Sequence, residues 1–229
     1  MTIEIYADGA TLENIDELNE SSLIKGVTTN PSLINRAGIT DYEKFAKEMV
    51  AKTDKPISFE VIADDLDGMY REARIISGWG DNVYVKVPPM TTDGISTQII
   101  AEKLTGRGIK LNLTCLFTYS QIETAIKIIG TNSGILSIFA GRIMDTHRDA
   151  CPLIHYAHNN VFTSKTKVLW ASTREIWNIR QAEESGADII TVPVKMLPKI
   201  KLIGKNLLKF SKETVLMFRQ DAVASGYKI

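Results

Sequence analysis

The chain has 229 residues, 44% of them hydrophobic, enough to bury one large core and typical of an α/β barrel built as one domain. Its 27 basic and 27 acidic residues cancel, so no global field draws it to nucleic acid or to an anionic membrane, and ligand selection must be local. The first residues carry no basic segment followed by an apolar stretch, and no window reaches the ~20 apolar residues of a membrane span. A soluble, cytoplasmic protein is therefore expected. Cys115 and Cys151 lie far apart without metal-ligand spacing, so neither a disulfide nor a structural zinc is expected.

In chain order, short β-branched runs recur at Ile3 to Ala7, Gly26 to Thr29, Ile57 to Ile62, Val83 to Val87, Ile109 to Leu113, Ile135 to Phe139, Val168 to Ala171 and Ile189 to Val192. Their starts are 21 to 33 residues apart, room for a strand, a turn, a helix and a return. Between them, "DYEKFAKEMVAK" spaces Tyr42, Phe45, Met49 and Val50 as one helical face, and "DDLDGMYREARIISGW" does the same with Leu66, Met69, Ala73 and Ile76. The pattern predicts a single-domain (β/α)8 TIM barrel over residues 1–229, with an extended C-terminal helical tail at 207–229. No low-complexity tract or linker interrupts it.

Chemistry in such a barrel sits at the C-terminal ends of the strands. The polar residues expected there are Asp8, Thr29 with Asn30, Glu60, Lys86, Asn112 with Thr114, Arg142, and Ser172 with Arg174. This mixture of carboxylates, cations, amides and hydroxyls suits a phosphorylated, polyhydroxylated ligand. Lys86 interrupts the apolar strand "VYVKVPP" and shares side-chain parity with Tyr84, so it points into the barrel. Desolvation favours a neutral amine, and a neutral lysine attacks carbonyls to form a Schiff base; the alternative is a lysine that ends its strand and reaches solvent. Alternatives stand for the others as well. Asp8 could cap a helix, Glu60 could pair with an arginine, Thr114 could cap the next helix, and Asn30 suits a turn on structural grounds alone. In "GVTTNPSLI", Thr28 shares parity with Asn30 and is placed inside, while Pro31 pre-sets the following helix.

The segments "GVTTNPSLI", "VYVKVP", "NLTCLFTYSQ", "SIFAGRIMD" and "WASTR", in this order across nearly the whole chain, resemble the marker segments of the transaldolase family. The resemblance implies class I aldolase-type chemistry, without a cofactor or metal, moving a dihydroxyacetone unit from fructose 6-phosphate or sedoheptulose 7-phosphate to an aldose phosphate. It implies that Lys86 forms the Schiff base, that Asp8 relays the proton of bond cleavage, and that Glu60 and Thr114 hold the catalytic water. Thr28, Asn30, Asn112, Ser137 and Phe139 would then line the substrate, and Arg142, Ser172 and Arg174 would bind phosphate, as bidentate guanidinium groups do well. Fructose-6-phosphate aldolases of the same family, which release free dihydroxyacetone, typically have glutamine and tyrosine where this chain has Glu60 and Phe139, so the transferase branch is the expectation. A sensor or scaffold barrel that binds a sugar phosphate without turnover is the non-catalytic alternative. Gly9 stands where a hydroxyl residue is usual, Thr173 replaces an aromatic, and the "PPMTTDG" loop is one residue longer than in familiar examples, departures that would suit a specialised sugar phosphate.

His147, His155 and His158 lack the carboxylate or cysteine company of a metal site, so no metal is expected. In the tail, Leu208, Val215, Phe218 and Val223 are spaced for packing. They could close the barrel as a final helix; the resemblance implies instead that they reach a neighbouring subunit of a homo-oligomer, a pentamer or decamer.

Overall fold

A computed structural model describes residues 2–228; residues 1 and 229 of the expected domain lie outside the described residues. Eight parallel strands form a closed barrel in sequence order, β1 beside β8. They are β1 (Glu4–Asp8), β2 (Ile24–Thr28), β3 (Ile57–Glu60), β4 (Val83–Val87), β5 (Leu111–Leu116), β6 (Gly134–Ile138), β7 (Thr166–Trp170) and β8 (Ile189–Pro193). The helices are α1 (Ile15–Glu20), α2 (Pro31–Arg36), α3 (Tyr42–Lys52), α4 (Leu66–Ser77), α5 (Gln98–Thr105), α6 (Tyr119–Ile129), α7 (Ala140–Met144), α8 (Cys151–Asn160), α9 (Trp177–Glu184) and α10 (Leu207–Ala224). This is the (β/α)8 barrel that the spacing predicts.

Side-chain alternation divides the barrel into two apolar regions. Outward residues such as Ile5, Phe59, Val85 and Leu113 join the helices in the main core. The inner floor is Tyr6, Ile135, Leu169, Ala171 and Ile189, with Tyr84 and Phe139 against it. Gly26 faces Tyr6 in register, and a Cβ there would stand 2.4 Å from the tyrosine ring, so glycine is what lets the ring plug the floor. The helices begin as their sequences ask: Asp41, Asp65 and Thr118 cap α3, α4 and α6, the last in a capping box with Gln121. Asp8 and Thr114 cap nothing, since the N-cap positions of α1 and α6 are Asn14 and Thr118.

β5 departs from the expectation, whereas the tail is helical as expected. β5 runs on to Leu116 rather than stopping at Leu113, and its register with β6 slips between those residues. Cys115, at φ 55°, supplies the extra residue of this bulge. The bulge returns Leu116 to the outer core and keeps Thr114 on the inner side with Asn112. The tail forms a 3₁₀ stretch, Val194–Leu202, and then α10, which buries none of its residues. It therefore does not close the barrel.

At the mouth, α7 packs so closely on the β7–α9 loop that a Cβ on Gly141 would stand 1.6 Å from the Ser172 carbonyl oxygen. Ser172 itself is left-handed, at φ 67°. Gly141→Ala should therefore destabilise the fold by more than about 2 kcal/mol, since backbone rather than a mobile side chain must move. Urea unfolding measures this; an unchanged midpoint would show that the loop yields freely.

Candidate active site

Strand register assembles the site. Glu60, Lys86 and Asn112 are Cα partners across β3, β4 and β5, at one height near the C-terminal end of the barrel. Lys86 is 6% exposed. Its Nζ donates to the Thr29 carbonyl oxygen at 2.8 Å and lies 3.4 Å from Glu60 Oε2. A buried ammonium so held is strongly disfavoured if either partner is lost. Glu60 thus pairs with the lysine, not with an arginine.

Asp8 ends β1 opposite Thr28, whose Oγ1 donates to Asp8 Oδ1 at 2.9 Å. Parity thus places Thr28 inside, as expected, and it orients the carboxylate. On the far side of the lysine, Ser137 Oγ donates to Asn112 Oδ1 at 2.7 Å, and Asn112 Nδ2 donates to Ser58 Oγ at 3.1 Å. Ser58 escaped the sequence reading, although it sits two residues before Glu60 on the same face of β3. Thr114 Oγ1 is buried without a hydrogen-bond partner, an orphan hydroxyl that a ligand or water could satisfy. Asn30 caps α2, its Oδ1 accepting from the Leu33 amide at 3.0 Å, which leaves its amide nitrogen uncommitted.

The cationic part lies around β6 and β7. Arg142 is exposed on α7 with its guanidinium 5.4 Å from the centroid of the Phe139 ring. The stem of Arg174 passes over Gly141 of the same helix, and its guanidinium is ion-paired with Asp145. Both arginines and Ser172 are thus gathered around α7. Asp145 was not anticipated; its signal was only its position three residues after Arg142.

Among the described residues, no three His, Cys, Asp or Glu side chains converge as metal ligands. His155 and His158 lie on α8, with the His158 ring against Gly186, and His147 lies in the loop before it. No helix among the described residues is long and apolar enough to cross a membrane.

A family model described as Transaldolase/Fructose-6-phosphate aldolase matches residues 5–227. The chain belongs to this family of enzymes. A relative named "Probable transaldolase" from Thermoanaerobacter is 37% identical over 229 residues, covering 99% of this chain and all of that one. Another so named, from Carboxydothermus hydrogenoformans, is 39% identical over 200 residues, covering 86% of this chain and 90% of its own. "Probable transaldolase 2" from Listeria monocytogenes is 36% identical over 216 residues, 92% of this chain and 95% of that one. Solved structures add the fold alone. An orotidine 5'-monophosphate decarboxylase from Metallosphaera sedula superposes with a TM-score of 0.55 at 16% identity, over 84% of this chain and 88% of that one.

Within this transaldolase/aldolase barrel, burial pushes the Asp8 carboxyl above its ordinary pKa; the Lys86 charge and the Thr28 hydrogen bond oppose the shift, and Glu60 adds to it. A carboxyl with a raised folded pKa binds its proton more tightly when folded, so its contribution to stability falls as pH climbs from the unfolded value through the folded one. Asp8→Asn keeps the acceptor for Thr28 and removes that loss. The variant should melt roughly a few degrees higher than wild type at pH 7, with the difference vanishing below about pH 4. Calorimetry across pH checks this; an equal or lower melting point at pH 7 would mean that the Lys86 attraction outweighs desolvation.

Proposed function

We propose that the protein is a transaldolase, transferring a dihydroxyacetone unit from a ketose phosphate, fructose 6-phosphate or sedoheptulose 7-phosphate, to an aldose phosphate in the cytoplasm. The observation that carries this is Lys86, a buried amine between the Thr29 carbonyl and the Glu60 carboxylate at the mouth of a barrel of this family.

In this scheme Lys86 gives up a proton to Glu60, its amine adds to the ketose C2 carbonyl, and the resulting carbinolamine loses water to give an iminium ion. Glu60 and the orphan Thr114 hydroxyl hold that water and shuttle its protons. Asp8 takes the proton of the C4 hydroxyl as the C3–C4 bond breaks; the bonding pair flows into the iminium, leaving an enamine on Lys86, and the shortened aldose phosphate departs. The acceptor aldehyde is attacked by the same enamine carbon, its oxygen regains a proton from Asp8, and water frees the new ketose. Asn30, Asn112 and Ser137 hold the hydroxyls of the bound three-carbon unit, with Thr28 keeping Asp8 in place. Arg142, Arg174 and Ser172 take the phosphate. The exposed Arg174–Asp145 pair is worth only about 0–1 kcal/mol, so a phosphate dianion can displace the carboxylate.

Transfer is favoured over release because Phe139 presents no hydrogen-bonding atom to activate a second water, and its ring instead packs against Phe117, 5.6 Å between centroids. Incubation with fructose 6-phosphate and borohydride should give a reduced adduct on Lys86, absent from Lys86→Met. Erythrose 4-phosphate should be required for steady turnover. Sustained release of dihydroxyacetone without acceptor would turn the assignment to aldolase, and a wild type that never traps substrate would leave only a binding barrel.

The proposal includes a homo-oligomer, a pentamer or decamer. α10 exposes Leu207 and Leu208 at 80% and 82%, with Val215, Phe218 and Val223 also uncovered, and alone such a helix is marginal in water. A cavity of about 1020 Å³ beside its base, where Trp177, Met196, Leu202 and Ile203 alternate with charged residues such as Arg180, Glu184 and Lys199, offers a mixed seat for the amphipathic helix of another copy. Deleting residues 207–229 should lower the mass measured by light scattering to that of a smaller assembly; an unchanged assembly would refute the role of α10.

A further inference from the structure

The β2–β3 ladder stops one rung early, at the rung that would occupy the backbone beside Lys86. In a parallel pair, alternate residues of one strand exchange bonds with the other. Here the Val27 amide donates to the Pro56 carbonyl at 2.8 Å and the Thr29 amide to the Ser58 carbonyl at 3.2 Å. Continued by the same pattern, the Glu60 amide would donate to the Thr29 carbonyl and the amide of residue 31 to the Glu60 carbonyl. Neither bond forms. Residue 31 is proline, which has no N–H and begins α2, and the Thr29 carbonyl is taken by Lys86 Nζ at 2.8 Å.

Two backbone groups of Glu60 are therefore left facing a strand that has turned away. Both are satisfied by one side chain from outside the barrel. The Tyr42 hydroxyl, on α3, accepts from the Glu60 amide at 2.9 Å and donates to the Glu60 carbonyl at 3.0 Å. A hydroxyl is able to do both at once. Burial keeps this phenol protonated and able to donate. The ring is fixed edge-on to Phe59 and Trp79, at 6.3 and 6.0 Å between centroids, so the hydroxyl is aimed by packing.

We propose that Tyr42 is a positioning residue for the lysine chemistry: by standing in for the missing rung it frees the Thr29 carbonyl to hold Lys86 and fixes the strand end that carries Glu60. This rests on the assignment of Lys86 as the Schiff-base nucleophile. Without the hydroxyl, the Glu60 amide has the Thr29 carbonyl as its nearest ladder partner, and closing that rung takes the carbonyl from Lys86.

Tyr42→Phe keeps the aromatic packing and removes only the hydroxyl. Its kcat with fructose 6-phosphate and erythrose 4-phosphate should fall about 10- to 100-fold, with KM within about twofold, because Tyr42 lies outside the mouth and what is lost is geometry at the reacting groups. The single-turnover rate of borohydride trapping at saturating substrate should fall by the same factor. A merely structural tyrosine would lower the melting temperature and leave both rates per folded molecule unchanged, which would overturn the proposal, as would a loss confined to KM. Wild type is run alongside: if wild type itself gives no adduct, it is the Lys86 assignment that fails, and the proposal fails with it. If wild type traps and Tyr42→Phe traps equally fast, only the role of Tyr42 is lost.

Discussion

A lysine buried inside the barrel is the constraint on which the rest of the mouth depends. Lys86 cannot sit at its depth without acceptors, and the parallel register supplies them from fixed heights: Glu60 from one neighbouring strand, and the Thr29 carbonyl from the strand beyond. Because each strand is clamped on both sides, no member of the set can drift along its strand without breaking ladder bonds on a neighbour. The amide and hydroxyls of Asn112, Ser58 and Ser137 extend the polar wall from β3 across to β6, each atom of the chain holding the next. The outcome is a preorganised polar surface over an apolar floor of Tyr6, Ile135, Leu169 and Ile189.

The strands were legible because β-branched runs at regular intervals leave little choice but a parallel barrel, and parity within "TTNP" correctly put Thr28 inside. What was hidden shares a physical cause: it depends on contacts between elements that local sequence does not pair. The β5 bulge needs a left-handed cysteine, a conformation that no glycine or asparagine announces. Tyr42 read as one more apolar position of α3, since its period places it on the buried face and says nothing of where its hydroxyl ends. Arg174 was foreseen at the mouth, but its ion pair with Asp145 joins two loops brought together only by the close approach of Gly141 and Ser172. The tail was legible as helical; that it would stand off its own barrel came only from the family resemblance, because spacing for packing does not specify which chain is packed against.

The mouth carries an evident cost in stability. Asp8 is buried enough to resist ionisation, Thr114 keeps an unpaired hydroxyl, and Ser172 and Cys115 hold left-handed backbone without being glycine. None of these features helps the barrel fold. Their concentration at the C-terminal end of the strands, while the opposite end is filled by Tyr6 and its apolar neighbours, is the division between function and stability that this architecture favours.

The two chemically distinct parts of the mouth also restrict what can bind. Asp8, Glu60 and Lys86 belong to β1, β3 and β4, whereas Phe139, Arg142, Ser172 and Arg174 follow β6 and β7, so they occupy different sectors of a ring of eight strands. A ligand that places a carbonyl at Lys86 and an anion at the arginines must therefore span the opening. A compact cyclic sugar holds its carbonyl carbon in the ring and its phosphate close by, whereas an open-chain ketose phosphate extends the two apart. Under the proposed Schiff-base mechanism, the carbonyl that Lys86 attacks exists only in that open form. In the proposed reaction, reach and reactivity thus select the same conformer of the sugar phosphate, with the Phe139 ring and the Arg142 guanidinium stacked on it forming the boundary between the two sectors.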